Sequence, residues 1–169
     1  AKAAAISPDA SMAMVGFGSF QGESVLRGLA GGRDEPAWGL LKASIEAVAF
    51  HADGVHVAVC QEENASIWKR GRKSVVRRVS HEKRVVAAAA SRDGKLGFAS
   101  WDGTVTVLWN GKKFEHGFVG FAPSPERDRL FSLAFSPDGT KLVVGAGQAR
   151  HRPGRLYVIG IQPLEVLGE

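Results

Sequence analysis

The chain has 169 residues, 44% of them hydrophobic and 23% charged, the balance of a globular domain with an ordinary buried core. No run of about 18 apolar residues occurs, which excludes a helical membrane span, and the alanine-rich start is too short, and followed too soon by Ser7-Pro8-Asp9, to be a signal peptide. A net charge of +5 suits acidic partners without demanding nucleic acid, and the single cysteine, Cys60, excludes an internal disulfide and favours an intracellular, cytoplasmic setting, with nucleus or organelle as alternatives.

Taken in chain order, the first segment is the least regular. Residues 2–6 and 12–17 read as strands around Ser7-Pro8-Asp9-Ala10, and 23–26 and 37–41 are weaker strands beside the glycine-rich stretch 28–32. The second segment is clearer, with strands at 45–50, 55–60, 65–69 and 74–79. His51-Ala52-Asp53-Gly54 turns the chain after the first of these, and Lys69-Arg70-Gly71-Arg72-Lys73 after the third. The third segment repeats the plan at 84–90, 95–100, 104–109 and 114–121, with Asn110-Gly111 as a favourable hairpin dipeptide. The fourth has strands at 130–135, 141–145, 156–161 and 164–167. No segment sustains an apolar period of 3.6, so little helix is expected. Cys60 lies within an apolar strand and reads as a buried, inert thiol.

One phrase recurs in all four segments: Ile6-Ser7-Pro8-Asp9-Ala10, Phe50-His51-Ala52-Asp53-Gly54, Ala90-Ser91-Arg92-Asp93-Gly94 and Phe135-Ser136-Pro137-Asp138-Gly139. Its aspartates are 44, 40 and 45 residues apart. A repeat of roughly 40–45 residues is the mark of four-stranded propeller blades. The predicted fold is therefore all-β, a propeller or partial propeller of about four blades spanning roughly 1–43, 44–83, 84–128 and 129–169.

Ser80-His81, Asp93-Gly94, Ser100-Trp101-Asp102-Gly103-Thr104-Val105 and Leu108-Trp109 together resemble a WD40 repeat, as do Phe135-Ser136-Pro137-Asp138-Gly139 and the strand ending on Trp68. The resemblance covers essentially the whole chain and implies a divergent WD40-like β-propeller. It also implies a buried network in each blade: a His before the first strand, a Ser or Thr in the second, an Asp in the tight turn and a Trp ending the third. His81 and Asp102 match two of these positions in the third blade, where Phe98 and Leu108 occupy the other two. In the second blade Trp68 matches, Glu62 stands at the Asp position and no His precedes. The family usually closes with seven or eight blades. An open stack would expose apolar faces and strand edges, so part of a larger propeller, a homo-oligomer or a ring completed by a partner subunit is expected ahead of a small ring closing alone.

Chemistry is sparse. His51, His56, His81, His116 and His151 show no pair with metal-ligand spacing, the acidic residues fall mainly in turns, and Glu46 alone sits in an inner strand facing the expected channel. No catalytic residue, metal or cofactor is predicted. The candidate contact residues are Lys69, Arg70, Arg72 and Lys73 at one hairpin tip, and Trp101, Arg150, His151 and Arg152 on the opposite face. Trp101 reads either as an interface anchor or as a side chain packed on the next blade. The expected function is a non-catalytic interaction scaffold in a multi-subunit protein assembly. The alternatives are a ribonucleoprotein subunit touching RNA phosphates through basic loops and, more remotely, a propeller-type hydrolase.

Overall fold

Alternating apolar residues and Asp- or Gly-bearing turns fold the chain into consecutive hairpins. The computed structural model describes residues 2–17, 24–28, 34–35, 44–72, 74–109, 112–117, 129–147 and 154–161. The first sheet holds β1 (Ala3–Ile6), β2 (Met12–Gly16), β3 (Ser24–Gly28) and β4 (Asp34–Glu35). The second holds β5 (Ile45–Phe50), β6 (His56–Gln61), β7 (Asn64–Lys69) and β8 (Val75–Ser80), and the third β9 (Val85–Ala90), β10 (Leu96–Ser100), β11 (Thr104–Trp109) and β12 (Lys112–Gly117). The fourth has β13 (Arg129–Phe135), β14 (Lys141–Gly147) and β15 (Arg155–Gly160). Every strand pairs antiparallel with its neighbour in sequence, so each sheet is a meander, and none closes into a barrel. No helix occurs among the described residues, and hence none long and apolar enough to cross a membrane.

The strands predicted at 45–50 and 104–109 coincide with β5 and β11, and most others differ by a residue or two. In the first segment β4 falls at Asp34–Glu35, ahead of the predicted 37–41. That stretch, 118–121 and the predicted strand at 164–167 lie outside the described residues.

Successive sheets face one another across three apolar layers. Met12 and Met14 of the first sheet meet Ile45, Val48, Phe50, Val57, Val59 and Trp68 of the second. The opposite face of the second sheet (Ala58, Cys60, Ala65, Ile67, Val79) meets Val85, Leu96, Phe98 and Leu108 of the third. Ala99, Val105 and Val107 then meet Leu130, Leu142, Val144 and Ala146 of the fourth. The period of two makes this possible, since alternate residues of β10 and β11 serve opposite interfaces. Each large side chain removed from water contributes about 1.5–3 kcal/mol before entropy is counted. The first strands lie side by side, β1 on β5, β5 on β9 and β9 on β13. At Gly97 a Cβ would lie 3.0 Å from Leu133 and 3.2 Å from Phe135, so glycine lets the third and fourth sheets approach. Cys60 is buried, and loss of solvent together with the nearby Glu46 charge pushes its thiol pKa well up, which keeps it inert as expected.

Candidate functional site

The repeated aspartate serves its turn in all four copies. In the first, Asp9 Oδ1 accepts from the Ser7 hydroxyl at 2.6 Å and the Ser11 amide at 3.1 Å, and Ser7 Oγ accepts the Met12 amide at 2.9 Å. Ser91 and Asp93 repeat this, with Lys95 Nζ on the second carboxylate oxygen, and Ser136, Asp138 and Thr140 do so again. These bonds hold Asp9 and Asp138 at about 2: the Ser7 and Ser136 hydroxyls lower each most, and the Ser11 and Thr140 amides follow.

The second copy departs from the pattern. Asp53 Oδ1 still accepts the Val55 and His56 amides, at 2.8 and 2.9 Å. His51 stands where the sister turns carry serine, and its Nδ1 lies 3.1 Å from Asp53 Oδ2, while His56 Nδ1 lies 2.7 Å from the same oxygen. Burial pushes the Asp53 carboxyl up, but the His56 amide and ring, the Val55 amide and His51 outweigh it and hold the group below the usual carboxylate range. The expectation that no two histidines pair as ligands is corrected at His51 and His56, whose four-residue separation lies in the range zinc ligands use. They meet because the hairpin pairs the His51 amide with the His56 carbonyl at 2.9 Å. A cleft of about 130 Å³ opens beside them between the second and third sheets, walled by Ile67, Leu96, Leu108 and Trp109.

At the other end of the strands His81, Asp102 and Thr104 form a buried set. Asp102 Oδ1 accepts the Thr104 amide at 2.8 Å and the Thr104 hydroxyl, and Oδ2 accepts the Glu82 amide at 2.9 Å. The Thr104 hydroxyl proton is thus directed to Asp102, so Thr104 Oγ1 accepts from His81 Nδ1 at 2.8 Å. His81 Nδ1 lies 3.6 Å from Asp102 Oδ2. The two residues picked out by the repeat resemblance are neighbours, bridged by Thr104 at the start of β11. Trp68 stands apart from them, packed against Met12 and Met14 in the layer between the first and second sheets.

Nearby, one polar row crosses all four sheets. Glu46 pairs with Lys2 of the first sheet and, at 3.3 Å, with Arg84 entering the third. The Arg84 guanidinium lies 5.4 Å from the centre of the Trp101 ring, and Arg129, opening β13, lies 5.3 Å from it. Glu46 is therefore a structural counter-ion. Trp101 is only partly exposed and is clasped by two cations within the chain, and its shielded Nε1 has no hydrogen-bond partner among the described residues. In urea titrations a double-mutant cycle of Trp101→Ala with Arg84→Ala should return a coupling of about 1 kcal/mol. A cycle that returns zero means the stacking does not tie the sheets.

The basic tip lies at the end of the strands that carries the histidine turn, since His56 is the register partner of Lys69. Arg70 and Arg72 are exposed and Lys69 half-buried, and Arg70 Nη2 also reaches Met12 Sδ at 3.6 Å. Lys73, Arg150, His151 and Arg152 lie outside the described residues, as does the side chain of His116.

These features define an all-β chain of serial antiparallel sheets. No protein-family model and no curated protein matches it by sequence. Among solved structures it is similar to Kuenenia stuttgartiensis hydrazine synthase, with a TM-score of 0.77 and 18% identity over 94% of this chain and 45% of that one. The chain thus spans a little under half the length of that neighbour, and the likeness is one of fold.

Proposed function

We propose that the chain is a non-catalytic, WD40-like propeller segment that serves as a rigid platform within a multi-subunit protein assembly. One observation carries this reading: the fourth sheet presents an apolar face that no other described sheet covers. On the fourth sheet Phe131, Leu156 and Val158 are 52%, 71% and 61% exposed, although the equivalent faces of the second and third sheets are packed under the next sheet. Faces of this kind mark association surfaces. The occupant that matches their spacing and chemistry is a further sheet of the same repeat, from additional chain, a second copy or a partner subunit. Glu46 is held in ion pairs and the aspartates of the first, third and fourth turns are spent on their own turn hydrogen bonds, which supports a structural role for these carboxylates.

A second reading, contact with RNA phosphates, draws on the exposed Arg70 and Arg72 beside Lys69. Salt separates the two, because phosphate contacts weaken steeply as salt rises and apolar association does not. Sedimentation velocity at about 10 μM in 0.1 and 0.5 M salt should show association that persists in salt and is lost in Phe131→Ser/Leu156→Ser. A monomer under both conditions, together with RNA binding that falls steeply with salt and weakens in Lys69→Ser/Arg70→Ser/Arg72→Ser, would replace the scaffold reading with the second.

A further inference from the structure

We propose that the turn between β5 and β6 binds a divalent transition-metal ion of the zinc class through His51 Nδ1, His56 Nδ1 and one oxygen of Asp53. The sister turns provide an internal comparison. Their folding requirement is met by a serine, an aspartate and backbone amides, and the second carboxylate oxygen is satisfied by a hydroxyl in the first and fourth copies and by Lys95 in the third. In the second copy Asp53 Oδ1 accepts two backbone amides and His51 Nδ1 accepts the Asp53 amide at 3.3 Å. Two imidazoles stand in for the serine and for the second-oxygen partner of the sister turns, and both bring Nδ1 close to the remaining oxygen.

The geometry suits a small cation. The three ligand atoms all lie within 4.8 Å of one another. A tetrahedral ion bonded at about 2.0–2.1 Å holds its ligands about 3.3 Å apart. The carboxylate–imidazole pairs at 2.7 and 3.1 Å therefore open by a few tenths of an ångström, and the two rings draw together. His51 and His56 are half-buried and Asp53 is exposed, so rotamer changes of that size meet little resistance.

His51 Nε2 lies 2.9 Å from the Gly94 carbonyl oxygen, which only accepts, so Nε2 donates there and Nδ1 is the nitrogen turned toward Asp53 and open to an ion. Gly94 itself has φ +86°, and a Cβ there would sit 3.3 Å from His51 Nε2, so glycine keeps this outer bond in reach. His56 Nδ1 faces a carboxylate that only accepts, so the proton it carries must leave Nδ1 when the ion binds, the neutral ring then keeping its single proton on Nε2. Two nitrogens and one oxygen favour zinc, cobalt, nickel or copper over calcium and magnesium, which prefer all-oxygen shells. The exposed side of the turn leaves a coordination position open to water or to a donor atom of a bound partner.

The test is isothermal titration of the purified protein with Zn²⁺, supported by the visible absorption of added Co²⁺. We expect one ion per chain at micromolar affinity or tighter, undisturbed by millimolar Mg²⁺ or Ca²⁺. His51→Ser restores the serine of the sister turns and should keep the circular dichroism of the parent while weakening Zn²⁺ by at least about 100-fold. His56→Gln gives an independent loss of one ligand with the same expected result. Absence of saturable Zn²⁺ binding below about 100 μM in the parent, or parental affinity in either variant, overturns the proposal.

Discussion

Phe98→Ala should lower the unfolding free energy by about 4 kcal/mol, the upper range for removing a ring from a closed core. Phe98 is the largest fully buried side chain among the described residues. It lies in β10 within the layer between the second and third sheets, among Cys60, Ile67, Val85 and Leu108. Arg84 also links the third sheet to Glu46 of the second at one rim, which limits how freely the layer can close over the space. For a chain of this length the melting temperature should fall by roughly 10 °C in a thermal scan, and Phe98→Leu should lose less than half of that. A fall of under about 1 kcal/mol in urea titrations would show that the interface collapses freely and that close packing there is not decisive.

Asp102→Ala is expected to cost about 3 kcal/mol, through a different route. The variant leaves the amides of Glu82 and Thr104 and the Thr104 hydroxyl without their acceptor in a site where Asp102 is 3% exposed. The residue also sets part of the acid response. Burial pushes its pKa up, but the Thr104 hydroxyl and amide, the Glu82 amide and His81 outweigh that, so the folded value lies below the ordinary 3.8. A depressed carboxyl stabilises the fold above its ordinary value and loses that contribution as pH falls through the folded one. Asp9 and Asp138, held at about 2, act in the same sense. Acid unfolding of the parent should accordingly begin below about pH 4. Asp102→Asn should be less stable at pH 7 and show a shallower acid limb, read by circular dichroism. An unchanged acid limb would remove Asp102 from the account.

Much of the architecture is written locally. Alternation along residues 45–50 and 104–109, and Asp-Gly pairs at 53–54, 93–94 and 138–139, place strands and turns without reference to distant parts of the chain. The repeated Ser-x-Asp phrase even specifies its own hydrogen bonds. Contacts across sheets are not local, and there the reading thins. Trp101 looks isolated because its sequence neighbours are small or polar, and only the fold delivers Arg84 and Arg129 to its ring. His51 and His56 have a spacing that zinc ligands do use, but only the hairpin register shows that both rings face Asp53. Glu46 is legible as an inward carboxylate but not as the partner of Lys2 and Arg84.

The serial contacts of β1, β5, β9 and β13 have a consequence for how the molecule comes apart. Each leaf is a self-contained run of hairpins, so the free energy of the whole is close to a sum of leaf terms and junction terms, as in a one-dimensional lattice with nearest-neighbour coupling. The two inner leaves are gripped by two junctions each, and the first and fourth by one each among the described residues. Thermal fraying accordingly enters from the outer leaves and propagates inward, and the Phe98 layer is the last to open.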